Sequence, residues 1–178
     1  MNLVADQGKN IIIGIKGYNH LDGAAGADTL IGREYGDDLY GSAGRDLLLG
    51  MAGDGRLFGG GQSASLYGDN GHDILLGGNG RDILDGGKGR DVLEGGTHAD
   101  VFIFKKGYEK DIIVDFEDDK DTISFATDLW FGTKTVQNVI NRIATAVDGD
   151  IVFDFGSHEL TVKGFTNLAE LKDDITFI

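Results

Sequence analysis

The sequence predicts an all-β protein: a parallel β-roll, that is a right-handed β-solenoid, closed by a C-terminal cap of mixed α and β structure. Three observations predict it. A nine-residue unit repeats without insertion from Ala5 to Ile103, the eighth place of the unit is always apolar, and the register is lost from Phe104 onward. The repeat is plainest from Gly68, where the chain reads GDNGHDILL, GGNGRDILD, GGKGRDVLE and then GGTHAD, with glycines at the first and fourth places and an acid at the sixth. The eighth place runs Ile12, Leu21, Leu30, Leu39, Leu48, Leu57, Leu66, Leu75, Leu84, Leu93 and Phe102.

The spacing has a direct physical reading. Six glycine-rich residues can take the positive φ values of a tight turn, and the three that follow make a short strand whose middle side chain points to one side. The eighth place is therefore the inside. Two consecutive units make one coil of a flattened spiral, unit k stacks on unit k+2, and two parallel sheets enclose the leucines. One repeat cannot bury its own core, so repeats come in series.

The motif G-G-x-G-x-D-x-U-x, matched at every place by GGNGRDILD and GGKGRDVLE, resembles that of the RTX family of secreted calcium-binding proteins. The resemblance covers residues 5–103. It implies a parallel β-roll with calcium between adjacent loops on each edge, and export by a type I secretion apparatus that reads a C-terminal signal. Residue chemistry supports calcium independently. Calcium takes six to eight oxygens, and turns free of side chains can aim several carbonyls at one spot while an Asp adds charge. With no cysteine and four scattered histidines, softer metals lack ligands. The alternative is that each Asp only caps its own turn, but Asn would serve equally there, and Asp dominates the best units.

A site of this kind is shared by units k and k+2. On the edge formed by odd-numbered units Asp28 pairs with Asp46 and Asp82 with Asp100; on the even edge Asp73 pairs with Asp91. Asn10 with Asp28 and Asn19 with Asp37 are half-strength candidates in a decayed N-terminal start that reads as a cap. The loop residues Gly68, Asn70, Gly77, Asn79, Gly86 and Gly95 complete the candidate metal set. Two adjacent units fail: Gly55 and Ala64 stand where an acid is required, and Asp54 lies one place early. The expectation is about three firm calcium ions, up to about five with the half-strength pairs, in two clusters separated by a calcium-poor middle.

Composition agrees. A net charge of −14 and a pI near 4.4 argue against nucleic acid and anionic membranes and make cations the natural partners. Without cysteine no disulfide stabilises the chain, so a metal is the expected staple. No apolar run approaches the roughly 18 residues of a transmembrane span, and Met1 to Lys9 lacks the basic and apolar regions of a Sec signal. Together with the resemblance, this implies an extracellular protein exported by the type I route.

The outward seventh and ninth places are greasier in odd units (Ile11, Ile13, Ile31, Leu47, Leu49, Tyr67, Ile83, Val101, Ile103) than in even ones, where His20, Asp22, Asp38, Arg56 and Glu94 stand among Tyr40, Phe58, Ile74, Leu76 and Val92. Such a patch is usually covered or is a contact surface. Cover by the chain's own C-terminal part is the first expectation, a partner protein the second.

Residues 1–103 read as the repeat roll and 104–178 as a capping and secretion-signal region. DIIVDF (111–116) and DTISF (121–125) alternate as strands do. The segment resembles the stretch after the repeats in serralysin proteases and mannuronan epimerase modules, except that HADVFIF carries His98 where those have glycine. The acidic run 115–121 reads as a solvated turn, with another ion as the alternative. Thr135 to Val147 reads as an amphipathic helix, 151–155 and 159–163 as a hairpin, Asn167 to Leu171 as a short helix and 175–178 as a closing strand. Phe102, Phe104, Phe116 and Trp130 supply bulk for a plug.

No catalytic constellation is present: no HExxH, no GxSxG, no cysteine nucleophile. Enzymatic activity is therefore not expected of this chain. Two functions remain open, a calcium-responsive folding and export module, or an adhesin-like roll that grips a partner through one face. The chain could also be the non-catalytic tail of a larger secreted protease, lipase or epimerase.

Overall fold

The computed structural model describes residues 1–129 and 135–178. Through the repeats the strands are β1 (Asn2–Val4), β2 (Ile11–Ile13), β3 (His20–Asp22), β4 (Thr29–Arg33), β5 (Asp38–Tyr40), β6 (Leu47–Met51), β7 (Arg56–Gly60), β8 (Ser65–Tyr67), β9 (Ile74–Asn79), β10 (Ile83–Asp85), β11 (Val92–Thr97) and β12 (Val101–Phe104). After them come β13 (Lys110–Ile113), β14 (Thr122–Phe125), α1 (Val136–Ile143), β15 (Ala144–Val147), β16 (Asp150–Asp154), β17 (Glu159–Val162), a 3₁₀ turn at Glu170–Lys172 and β18 (Ile175–Phe177).

From β1 to β14 successive strands alternate between two sheets, so the chain is a β-solenoid. One sheet has ten strands in the order β1-β3-β5-β7-β9-β11-β13-β17-β16-β15; the other has eight in the order β18-β14-β12-β10-β8-β6-β4-β2. Each repeat strand pairs in parallel with the strand two units away, Leu21 opposite Leu39 and Leu30 opposite Leu48. This is the k to k+2 stacking that the spacing predicts. The eighth-place side chains from Leu21 to Leu84 are fully buried, one row from each sheet meeting in the core. Each removes a leucine's apolar surface from water, worth about 1.5–3 kcal/mol.

Beyond the repeats the stacking continues while the connections lengthen. Val92 pairs with Ile112, Val101 with Thr122, Lys110 with Glu159 and Ile123 with Ile175. The ten-stranded sheet then ends in antiparallel strands, β17 to β16 to β15. Asp148 and Gly149, with φ of 52° and 92°, make the two-residue turn between β15 and β16, the Asp-Gly pairing that suits a twisted hairpin. Phe104, Phe125, Phe153 and Phe155 pack ring on ring at the junction, Phe104 to Phe155 at 5.5 Å and Phe125 to Phe153 at 5.2 Å.

Two expectations are corrected. The helix predicted over 135–147 stops at Ile143. Thr135 caps its start by accepting the Asn138 N–H, and Ala144 to Val147 instead pair with β16, because the edge of β16 offers backbone partners that a last helical turn would leave unused. Nor does the C-terminal segment fold back across the greasier face. Among the described residues its strands extend the ends of the two sheets, and Ile11 and Ile13 stay 70% and 50% exposed. Phe102, Phe104 and Phe116 are buried as the plug requires; Trp130 lies outside the described residues.

Candidate calcium-binding edges

Each sixth-place aspartate sits where a glycine-rich loop enters its strand, with its carboxylate turned under the neighbouring coil. Its Oδ1 accepts the backbone N–H of the sixth-place residue one coil earlier. On the edge that leads into the eight-stranded sheet, Asn10 donates to Asp28 at 2.7 Å, Asp28 to Asp46 at 2.8 Å, Ala64 to Asp82 at 2.6 Å and Asp82 to Asp100 at 2.8 Å. On the opposite edge Asn19 donates to Asp37 at 2.7 Å, Gly55 to Asp73 at 2.7 Å and Asp73 to Asp91 at 2.8 Å. The carboxylates tie coil to coil; they do not cap their own turns.

The second oxygen is the informative one. Oδ2 of Asp28, Asp37, Asp46, Asp73, Asp82, Asp91 and Asp100 is buried and has no hydrogen-bond partner. A buried acceptor left unmet costs about 1–3 kcal/mol, and more when charged. Each lies in a cradle lined by glycine backbone: a Cβ on Gly77 would come within 2.6 Å of both Asp82 Oδ2 and the Gly95 carbonyl oxygen, and one on Gly68 within 2.5 Å of Asp73 Oδ2 and 2.4 Å of the Gly86 carbonyl oxygen. Gly86 and Gly95 likewise place their backbone against Asp91 and Asp100. Carboxylate and carbonyl oxygens converging in a space too tight for a methyl group are the donor set of a hard cation. Among the described residues no three acidic or histidine side chains form a site unaided, so loop carbonyls would have to complete it.

Burial makes these carboxylates poor anions on their own. Desolvation pushes Asp73 and Asp100 up to about 7 and Asp91 to about 6, and it raises Asp46 and Asp82 as well. His72 lies near Asp91 and His98 near Asp82, and each opposes that rise.

The ladders run further than the repeat. Asp111 Oδ1 accepts the Asp91 N–H at 3.1 Å, Asp121 Oδ1 accepts the Asp100 N–H at 2.9 Å, and Asp111 Oδ2 is another buried orphan. Burial pushes Asp111 up to about 8, with the charge of Asp91 adding to it. These two residues were not among the candidates. Their signal was the D-x-U fragment of the motif, Asp111-Ile112-Ile113 and Asp121-Thr122-Ile123, surviving without its glycines. The acidic run 115–121 is correspondingly not a free turn: Asp115 accepts the N–H groups of Gly95 and Gly96, and Asp121 Oδ2 takes that of Glu117.

At the other end the sixth place holds an amide that supplies its own donors. Asn19 Nδ2 donates to the Ile15 carbonyl at 2.9 Å, to that of Gly17 at 2.7 Å and to Asp37 Oδ1 at 2.9 Å. Gly55 and Ala64 offer no carboxylate and interrupt both ladders. Asp54 does not stand in for Gly55, since its Oδ1 accepts the N–H of His72. Among the predicted carbonyl donors, Asn70 gives its backbone oxygen to the Gly53 N–H, and the Asn79 side chain accepts from Thr97.

From the third unit onward the second place adopts positive φ whether or not glycine occupies it: Gly78 and Gly87 at 99° and 97°, but also Ala24 at 63°, Ser42 at 69°, Met51 at 77° and Asp69 at 71°. A side chain in that conformation costs roughly 1–2 kcal/mol, so the loops nearer the N-terminus carry strain that the loops opened by Gly77 and Gly86 avoid. His98 meets the same demand at the fourth place with φ of 88°.

A family model of the RTX calcium-binding nonapeptide repeat matches residues 4–34, 31–66 and 67–102. The chain belongs to that family. Its fold is similar to that of the extracellular lipase LipA from Serratia marcescens, at 17% identity and a TM-score of 0.54; the match takes in 99% of this chain and 40% of the lipase. It is also similar to the AlgE6R3 subunit of the mannuronan C5-epimerase from Azotobacter vinelandii, at 27% identity and a TM-score of 0.51, over 68% of this chain and 77% of that one. No curated protein sequence matches. Among the described residues no helix is long and apolar enough to cross a membrane.

Proposed function

We propose that the chain is a calcium-responsive folding module of a secreted protein, with no chemistry of its own. The row of buried carboxylates, each with one oxygen tied to the next coil and one unpartnered, carries this reading. The pairs Asp28–Asp46, Asp82–Asp100, Asp73–Asp91 and Asp91–Asp111 would each hold an ion with loop carbonyls, and Asn19 would spare the first even coil from needing one. A bound ion supplies the positive charge that lets the carboxylates ionise under the fold. Without it they must stay protonated or leave the interior, and the roll opens. In a calcium-poor cell the chain would stay extended enough for a type I channel and fold outside. Residues 1–103 would be the responsive roll, and 104–178 its cap and the carrier of the export signal.

The fit within 40% of a larger extracellular lipase supports a role as one module of a longer protein. Circular dichroism in chelator and in millimolar calcium tests the reading. The β signal should be small in chelator and appear on adding calcium; a full signal in chelator refutes it.

A further inference from the structure

The last carboxylate of the fold stands apart from the repeat ladders. Asp174 immediately precedes β18, the strand that closes the eight-stranded sheet, and it is 6% exposed. Its backbone carbonyl accepts the Ile123 N–H at 2.8 Å, which fixes its place beside β14. The Asp119 backbone N–H and the Asp118 carboxylate both lie close enough to act on its side chain, the first favouring its ionised form and the second opposing it. Yet Asp174 Oδ2 and Asp118 Oδ1 are both buried without a donor. The Asp119 φ of 58° bends the turn that brings Asp118 to this position.

Two acceptors cannot satisfy each other. The pair needs a proton or a cation between them, and among the described residues neither carboxylate has an ion-pair partner, the nearby Lys120 being held by Glu117 at 2.8 Å. Asp121, which would otherwise be the natural partner on this edge, has both oxygens engaged by backbone N–H groups. The repeat ladder therefore ends at Asp121, and this pair is a separate pocket of negative charge at the end of the roll.

We propose that Asp118 and Asp174 form a calcium site that latches β18 onto the turn at 117–120, and so holds the C-terminal strand on the roll. The proposal rests on the calcium reading above for the identity of the ion. Both donors are hard carboxylate oxygens, and their two negative charges suit a divalent ion better than a single shared proton in the extracellular calcium range. Occupancy joins the acidic turn to β14 and β18, which pair over three residues and share the Ser124–Thr176 hydroxyl bond at 3.0 Å.

The test uses the full chain, with calcium stoichiometry by calorimetry and amide hydrogen exchange read at 122–125 and 175–177. Asp174→Asn is expected to lower the bound calcium by one equivalent and to speed exchange of those amides about tenfold at calcium ten times the dissociation constant, leaving the calcium-induced β signal of the repeats in place. Asp118→Asn, altering a half-buried turn residue, should reproduce both effects even where Asp174→Asn folds poorly. Unchanged stoichiometry in Asp118→Asn overturns the latch while leaving the repeat sites standing. Protection of β18 that answers to pH and not to calcium also overturns it, by showing a shared proton. A wild-type chain that binds no calcium refutes both readings together.

Discussion

Asp91 is shared between two pairs, with Asp73 on one side and Asp111 on the other, whereas Asp46 belongs to one complete pair because Ala64 ends the ladder beyond it. Asp91→Asn keeps the acceptor for the Asp73 N–H and changes mainly the charge. It should therefore remove two ions, and Asp46→Asn one. At calcium ten times the dissociation constant each ion contributes about 1.4 kcal/mol, so the expected losses are about 2.8 and about 1.4 kcal/mol. Urea unfolding at fixed free calcium reads the energies, and calorimetry counts the ions. The two losses should converge when calcium is removed, since both variants then lose nothing by binding. Equal losses in saturating calcium would falsify the shared-ligand ladder.

Four further outcomes are expected. Ala64→Asp should join Asp46 to Asp82 and add about two ions on that edge, which calorimetry would count; no gain would mean that the loop carbonyls there are wrongly placed. Gly77→Ala should destabilise the calcium-bound form by about 1–3 kcal/mol through overpacking, because its Cβ would meet both the buried Asp82 Oδ2 and the Gly95 carbonyl oxygen at 2.6 Å. Asn19→Asp should remove the amide donor, making the first even coil calcium-dependent and adding about one ion; exchange of the 20–22 amides in chelator would show it. In the calcium-free protein the folded-state values of Asp73, Asp91, Asp100 and Asp111, about 6 to 8, lie above the unfolded value of 3.8. Their contribution is then fully present below about 4 and lost as pH rises through 6 to 8. Chelated protein should be more folded at pH 4.5 than at pH 8, and the opposite trend by circular dichroism would count against burial of these groups.

The solenoid was legible because the eighth place never varies in character and because Asp, not Asn, recurs at the sixth. The pairing of coils follows from that period, and with it the ladder pairs Asp28–Asp46, Asp82–Asp100 and Asp73–Asp91. What stayed hidden lies where the period ends. Asp111 and Asp121 keep their places in the stack although their loops are longer and lack the glycines, so ninefold counting passes over them. Ala144 to Val147 share apolar spacing with the helix before them, and only the exposed edge of β16 decides that they form a strand. In sequence Asn19 reads as a half-strength calcium ligand, and the hydrogen bonds its amide gives to Ile15, Gly17 and Asp37 became apparent only in three dimensions.

The leucine rows have a consequence for how the chain finds its alignment. From Leu21 to Leu84 every coil offers the next the same side chain at the same depth, so sliding the stack by one whole coil leaves the interior almost unchanged. A core of this kind selects the face of each strand but not which strand lies beside which. The irregular positions break that degeneracy. A slip by one coil would set Asp46 or Asp82 in line with the wrong loop, carry Gly55 and Ala64 into places that need a carboxylate, and leave Asn19 without Asp37. The two defective units thus mark distance along an otherwise uniform ruler, and filling both of them with aspartate should produce a protein that binds more calcium yet settles into its correct alignment more slowly.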